Sequence, residues 1–128
     1  MKKHAIALLL AGLSCAASAT WVQVTDDTDT VGYYDPATRV RVGGVVTVAE
    51  LSDFKRAATS ASDRVFRSAL IQRQYDCAAA RARTVSQANF EDQMLAGRAL
   101  DVQALTGRWR AVVAGSTRAI ARNAICLP

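Results

Sequence analysis

Two cysteines constrain this chain more than any other residues. Cys77 and Cys126 remain once an N-terminal segment containing Cys15 is set aside, and that segment has the anatomy of an export signal. Lys2 and Lys3 begin it, an uncharged apolar run from Ala5 to Leu13 follows, and Ala17-Ser18-Ala19 supplies a small-residue exit. The run is too short to span a bilayer. Residues 1–19 are therefore expected to be a signal peptide and residues 20–128 the mature domain. Export places Cys77 and Cys126 in an oxidising compartment, where two cysteines allow one intramolecular pairing. Closing a loop of about 50 residues removes denatured-state entropy worth about 4 kcal/mol. That is a large share of the ~5–15 kcal/mol that holds a small domain together. Cys15 offers a second processing route, cleavage just before it and lipid attachment, although Gly12-Leu13-Ser14 matches that signal poorly.

The whole chain has a formal charge of +5, and losing Lys2 and Lys3 with the signal lowers it to +3. So small an excess is far from a nucleic-acid signature. The single histidine, His4, leaves with the same segment. Ser-His, Cys-His and histidine–metal arrangements leave with it. Gly43-Gly44 lacks the residues and helix that would make it a phosphate loop. Asp26, Asp27 and Asp29 lack the twelve-residue frame and closing glutamate of a calcium loop, and Glu91-Asp92 are neighbours with no stated separation for acid–base work. The expectation is a non-enzymatic protein with no cofactor and no metal.

Along the chain, Trp21–Thr25 predicts a short strand, Asp26–Thr30 a polar break and Val31–Tyr34 a second strand. Asp35-Pro36-Ala37-Thr38 has turn chemistry, Pro36 suiting the position after Asp35. Thr38–Val42 alternates, with Val40 and Val42 on one face and Arg39 and Arg41 on the other. Gly43-Gly44 is a hairpin signal, and Val45–Leu51 is the returning strand. Neighbours joined by such short turns pair antiparallel. Ser52–Asp63 is expected to be a polar, mobile connection. Val65–Cys77 is the best strand of the second half, with Ala69, Ile71, Tyr75 and Cys77 on one side. Residues 80–89 could be helix from their alanines, but Arg81, Arg83 and Val85 alternate with small residues, so a companion strand to 65–77 is the reading taken. Residues 90–106 remain helix or strand, interrupted by Gly97, and Arg108–Val113 reads as an edge strand or extended arm. Ser116 then caps a helix over Thr117–Ile125. Its apolar stripe is expected to be Ile120, Ala121, Ala124 and Ile125, with Arg118 and Arg122 on the other side. Cys126 would pin its end to the strand bearing Cys77.

One surface cluster is a candidate site. If strands 65–77 and 80–89 pair, Arg67, Arg73, Arg81 and Arg83 could form a basic contact patch for acidic protein loops or sulfated glycans. Tyr33, Tyr34, Trp21 and Trp109 fit packing roles better than a recognition platform.

These features in this order resemble the surface-adhesin protein E-like domain of Gram-negative bacteria. The resemblance lies in Trp21, YYDPATRVRVGG (33–44), VVTVAELSDF (45–54), FRSALIQRQYDC (66–77), Trp109, Gly115-Ser116, the terminal helix and Cys126. It spans about residues 21–127. It implies an α+β fold: an antiparallel sheet of about six strands with a C-terminal helix packed on it and tethered by the disulfide. It also implies a periplasmic or cell-surface module that binds proteins and can form a homodimer, as the best-known family member, a dimer, binds vitronectin, laminin and plasminogen; most relatives have no established role. The chain departs from the family pattern at Ala49, where relatives commonly carry tryptophan, and in the isolated Lys55. A second functional expectation is an inhibitor or accessory factor of a periplasmic enzyme, with residues 52–63 as the inserting loop.

Overall fold

The computed structural model describes residues 20–104 and 107–128, so the expected signal peptide and Cys15 lie outside the described residues. Strands β1 (Val22–Asp26), β2 (Thr30–Val42), β3 (Val45–Thr59), β4 (Val65–Asp76), β5 (Arg81–Phe90) and β6 (Ala99–Ala104) form one antiparallel sheet in chain order. A short strand β7 (Arg110–Ala111) pairs with the other half of the outer edge of β5, and helix α1 (Thr117–Ile125) ends the chain. The α+β expectation, with its tethered helix, is met.

The Gly43-Gly44 hairpin forms as the sequence predicts, with Val42 opposite Val45 and Gly43 in the left-handed region at φ +60°. The turn expected at Asp35–Thr38 does not reverse the chain. It is an irregularity inside β2, between the pairs Asp35–Ala49 and Val40–Thr47. Pro36 has no N–H for a ladder, so the strand loops out where it stands. Asp35 Oδ1 accepts the Ala37 amide, and the Thr38 hydroxyl takes over the Ala49 amide at 2.9 Å.

The expected mobile connection at 52–63 is also corrected. β3 runs on to Thr59, leaving only a tight turn before Val65, in which the Ser60 amide donates to the Arg64 carbonyl. Lys55 and Arg56 are exposed, while Phe54 packs edge-on against Phe66, centroids 5.3 Å apart. No loop of the length expected for insertion into an enzyme exists there. Residues 90–106 resolve as one 3-10 turn (Gln93–Leu95) followed by β6, with residues 105 and 106 undescribed. The turn is held over β3 and β4: fully buried Ser68 accepts the Leu95 amide, and Asp53 accepts that of Met94.

α1 starts where Ser116 accepts the Ala119 amide. Its buried residues are Ala121 and Ile125, which join Val46, Val48, Tyr75 and Ala82 in one core. Ile120, expected in the stripe, is 53 % exposed. Arg118 and Arg122, expected outside, lie three residues before Ala121 and Ile125 respectively and share their side. Arg122 donates to the Cys77 carbonyl. The Cys77–Cys126 disulfide joins the helix end to the end of β4, Cα atoms 5.8 Å apart. Arg39 and Arg41 of β2 donate to the carbonyls of Ile125, Leu127 and Cys126, closing the negative end of the helix.

Candidate functional site

Register decides which side chains share a face. In β3 the inward positions are Val46, Val48 and Glu50, opposite Tyr75, Arg73 and Ile71 of β4. Glu50 thus arrives on the helix-covered face as part of an otherwise apolar alternation. It is buried, and both its oxygens are used. Oε2 takes the Arg73 Nε at 2.6 Å, Oε1 takes the Arg118 Nη1 at 3.0 Å, and the Tyr75 hydroxyl reaches both. Arg118 also donates to the Tyr75 oxygen at 3.0 Å. Burial, and then the neighbouring Glu50 charge, push the Tyr75 hydroxyl well above its ordinary range, with Arg118 and Arg73 opposing in part. Tyr75 is therefore a fixed proton donor to Glu50. Burial alone would pull Arg118 down, but Tyr75 and Glu50 outweigh it and raise it. A carboxylate, two guanidinium groups and a phenol satisfy one another here, which is the condition under which buried charge is tolerated.

The two arginines of this cluster, Arg73 and Arg118, also line a cavity of about 440 Å³ bounded by β5, β7 and α1. Arg73, Arg108, Arg110 and Arg118 line it, Arg83 borders it from β5, and no acidic residue among the described residues does. Arg110 stands opposite Ala82, which fixes it on the helix side, and Arg108 follows by alternation. Trp109 between them turns to the opposite face. There Arg81 and Arg83 lie over its ring, at 4.9 and 4.5 Å from guanidinium carbon to centroid. Arg83 is oriented by Gln74 and Arg81 by Asp76. The Ala79 amide holds the Asp76 carboxyl below its usual range against the opposing effect of burial, and Arg81 adds to the lowering.

The four arginines expected to form one patch are therefore distributed. Arg81 and Arg83 meet on Trp109, Arg73 faces the helix and Glu50, and Arg67 is exposed elsewhere on β4. Lys55 pairs with Asp26 and the Asp27 carbonyl, while Asp27 accepts the amides of Asp29 and Thr30. Arg108, Arg110, Arg118 and Trp109 were not read as site residues from sequence. The Arg-Trp-Arg alternation at 108–110 and the helical spacing of Arg118 were the signals available.

The sequence model of the surface-adhesin protein E family matches residues 21–127. Solved structures of Haemophilus influenzae protein E have the same fold. One superposes with a TM-score of 0.65 at 13 % identity, covering 83 % of each chain. A second crystal form gives 0.63 at 12 % identity, covering 86 % of this chain and 96 % of that one. The protein from a non-typeable strain gives 0.59 at 14 %, covering 85 % of both. Among proteins of curated function, none matches the sequence. Among the described residues no helix is long and apolar enough to cross a membrane.

Proposed function

We propose that this chain, which belongs to the surface-adhesin protein E family, is an exported, non-enzymatic envelope module that binds a host or envelope protein. The observation that carries the reading is the edge of the sheet at β5 and β7. There Trp109 is stacked by Arg81 and Arg83 on one face, and a cavity lined on the other by the side chains of Arg73, Arg108, Arg110 and Arg118 has no carboxylate among its described lining residues. Arginine and tryptophan are the residue types that most often anchor protein interfaces, and here both gather along one edge of the sheet. The enzyme-inhibitor alternative loses its inserting loop, because that segment is strand, and is not pursued.

Export through residues 1–19 and exposure at the cell surface belong to the same proposal, as does lipid attachment at Cys15 in place of simple cleavage. Self-association is a further part of it. Val40, Val42 and Val102 are 57 %, 75 % and 75 % exposed, and their register places Val40 and Val42 on the face that α1 leaves open. Analytical ultracentrifugation of residues 20–128 would show a dimer or a monomer.

The test of function is surface plasmon resonance of the folded mature domain against extracellular-matrix, serum and envelope proteins. Saturable binding lost on reduction and unfolding is expected. An absence of saturable binding across the panel would contradict the reading.

A further inference from the structure

The cavity on the helix side of the β5–β7 edge has a chemistry of its own. Its volume, about 440 Å³, lies within the range of ligand sites. A guanidinium has five N–H donors. Arg73 spends Nε on Glu50 and Nη1 on Thr84, and Arg118 spends Nη1 on Glu50 and Tyr75. Among the described residues the Nη2 groups of both have no protein acceptor, and neither is among the sealed, unpartnered atoms. Arg108 and Arg110 make no side-chain hydrogen bond or ion pair among the described residues, and both are exposed. Among the described residues Glu50 is the one carboxylate paired with this group, and both its oxygens are taken. Donors therefore converge on the cavity without acceptors to match.

We propose that this cavity receives the carboxylates of an extended acidic segment of the partner protein. The proposal rests on the protein-binding function given above and names the class of ligand for that edge. A peptide fits better than a sulfated glycan for two reasons. Arg108 and Arg110 line the cavity two residues apart leading into β7, and side chains two apart on extended chain repeat at roughly 6.6–6.8 Å. Alternate residues of an extended peptide have the same repeat. Among the described residues β7 pairs with β5 alone, so its outer edge also offers main-chain donors and acceptors to an added strand. A glycan could use the arginines but not that edge. Bidentate pairing of guanidinium with carboxylate supplies the remaining specificity.

The test is fluorescence anisotropy on residues 20–128 with a labelled peptide alternating glutamate and threonine. A glutamine–threonine peptide, an isomer with its glutamates contiguous, and a heparin-derived sulfated oligosaccharide serve as comparisons. The acidic alternating peptide should bind, weaken as salt is raised, and lose about tenfold or more in affinity in an Arg108→Ser/Arg110→Ser variant. Arg67→Ser should leave it unchanged. An Arg108→Lys/Arg110→Lys variant keeps the charge and the exposed positions, and should bind with intermediate affinity. Equal binding of the glutamine peptide or of the contiguous isomer would overturn the proposal, as would an unaffected serine variant with native unfolding temperature. Tighter binding of the oligosaccharide, lost in that variant, would assign the cavity to a glycan instead. Partner capture by a variant that no longer binds peptide would overturn the cavity proposal and leave the protein-binding function standing. Peptide binding without any protein partner would do the reverse.

Discussion

Arg118 Nη1 lies 3.0 Å from Glu50 Oε1, joining the terminal helix to a strand 68 residues earlier in the chain. Arg73 holds the second oxygen of the same carboxylate, so Glu50 is the point at which β3, β4 and α1 are bound together. Side chains of Glu50 and Arg73 are 8 % and 12 % exposed, against 39 % for Arg118. The Arg73 half of the triad is thus the drier and the more costly to break. Glu50→Gln should lower stability by about 2–4 kcal/mol, because it leaves two guanidinium groups facing a neutral amide. Arg118→Ala, whose charge is better solvated, should cost less, about 1–2 kcal/mol. Urea denaturation of the two variants gives both values, and the opposite order would mean that the helix contact dominates.

Tyr75 makes the same cluster sensitive to alkali. Its folded-state pKa is raised, so above about pH 10 the unfolded chain releases a proton that the folded chain keeps. The folded state then binds more protons, and stability falls as pH rises, by at most about 1.4 kcal/mol per unit from this group. Tyr75→Phe should be less stable near neutrality by about 1 kcal/mol, having lost a hydrogen bond to Glu50. It should also show a shallower decline between pH 10 and 11. Parallel slopes for the two proteins would remove Tyr75 as the cause.

Replacing Cys77 and Cys126 by serine should lower stability by about 2–5 kcal/mol. α1 has nine residues and buries only Ala121 and Ile125, so it holds little helix on its own. Arg39, Arg41, Arg118 and Arg122 still bind it to the sheet. Loss should therefore appear as faster hydrogen exchange in residues 117–125, with 45–51 and 65–76 still protected. Fast exchange in the strands with a protected helix would invert this order.

The order of strands, the hairpin at Gly43-Gly44, the cap at Ser116 and the faces of β4 were legible because each depends on local chemistry. The inward face of β4 followed from alternation down to Cys77, which made the disulfide partner's position readable as well. What escaped was polarity. Arg118 and Arg122 occupy the helical spacing of the buried stripe, yet charged residues are ordinarily assigned to solvent. Glu50 sits in register with Val46 and Val48 and was passed over for the same reason. Arg39 and Arg41 face the helix end while Val40 and Val42 face water, an inversion that only the position of α1 explains. Asp35-Pro36 has the same signature in a bulge as in a turn. Ser52–Thr59 hid a strand because its outward residues are polar, and the length of β3 is set by pairing with β4.

Trp109 tests the central claim, that the β5–β7 edge is the binding surface. A Trp109→Ala/Arg83→Ser variant removes the stacked pair on the face away from the helix and leaves the disulfide, the core and the Glu50 cluster in place. Its affinity for the protein partner found with the unaltered domain should be measured by surface plasmon resonance alongside its unfolding temperature. The account predicts a loss of about tenfold or more, the cost of removing a hot-spot pair, at near-native unfolding temperature. Unchanged affinity in a folded variant would contradict it and place the binding surface elsewhere on the sheet.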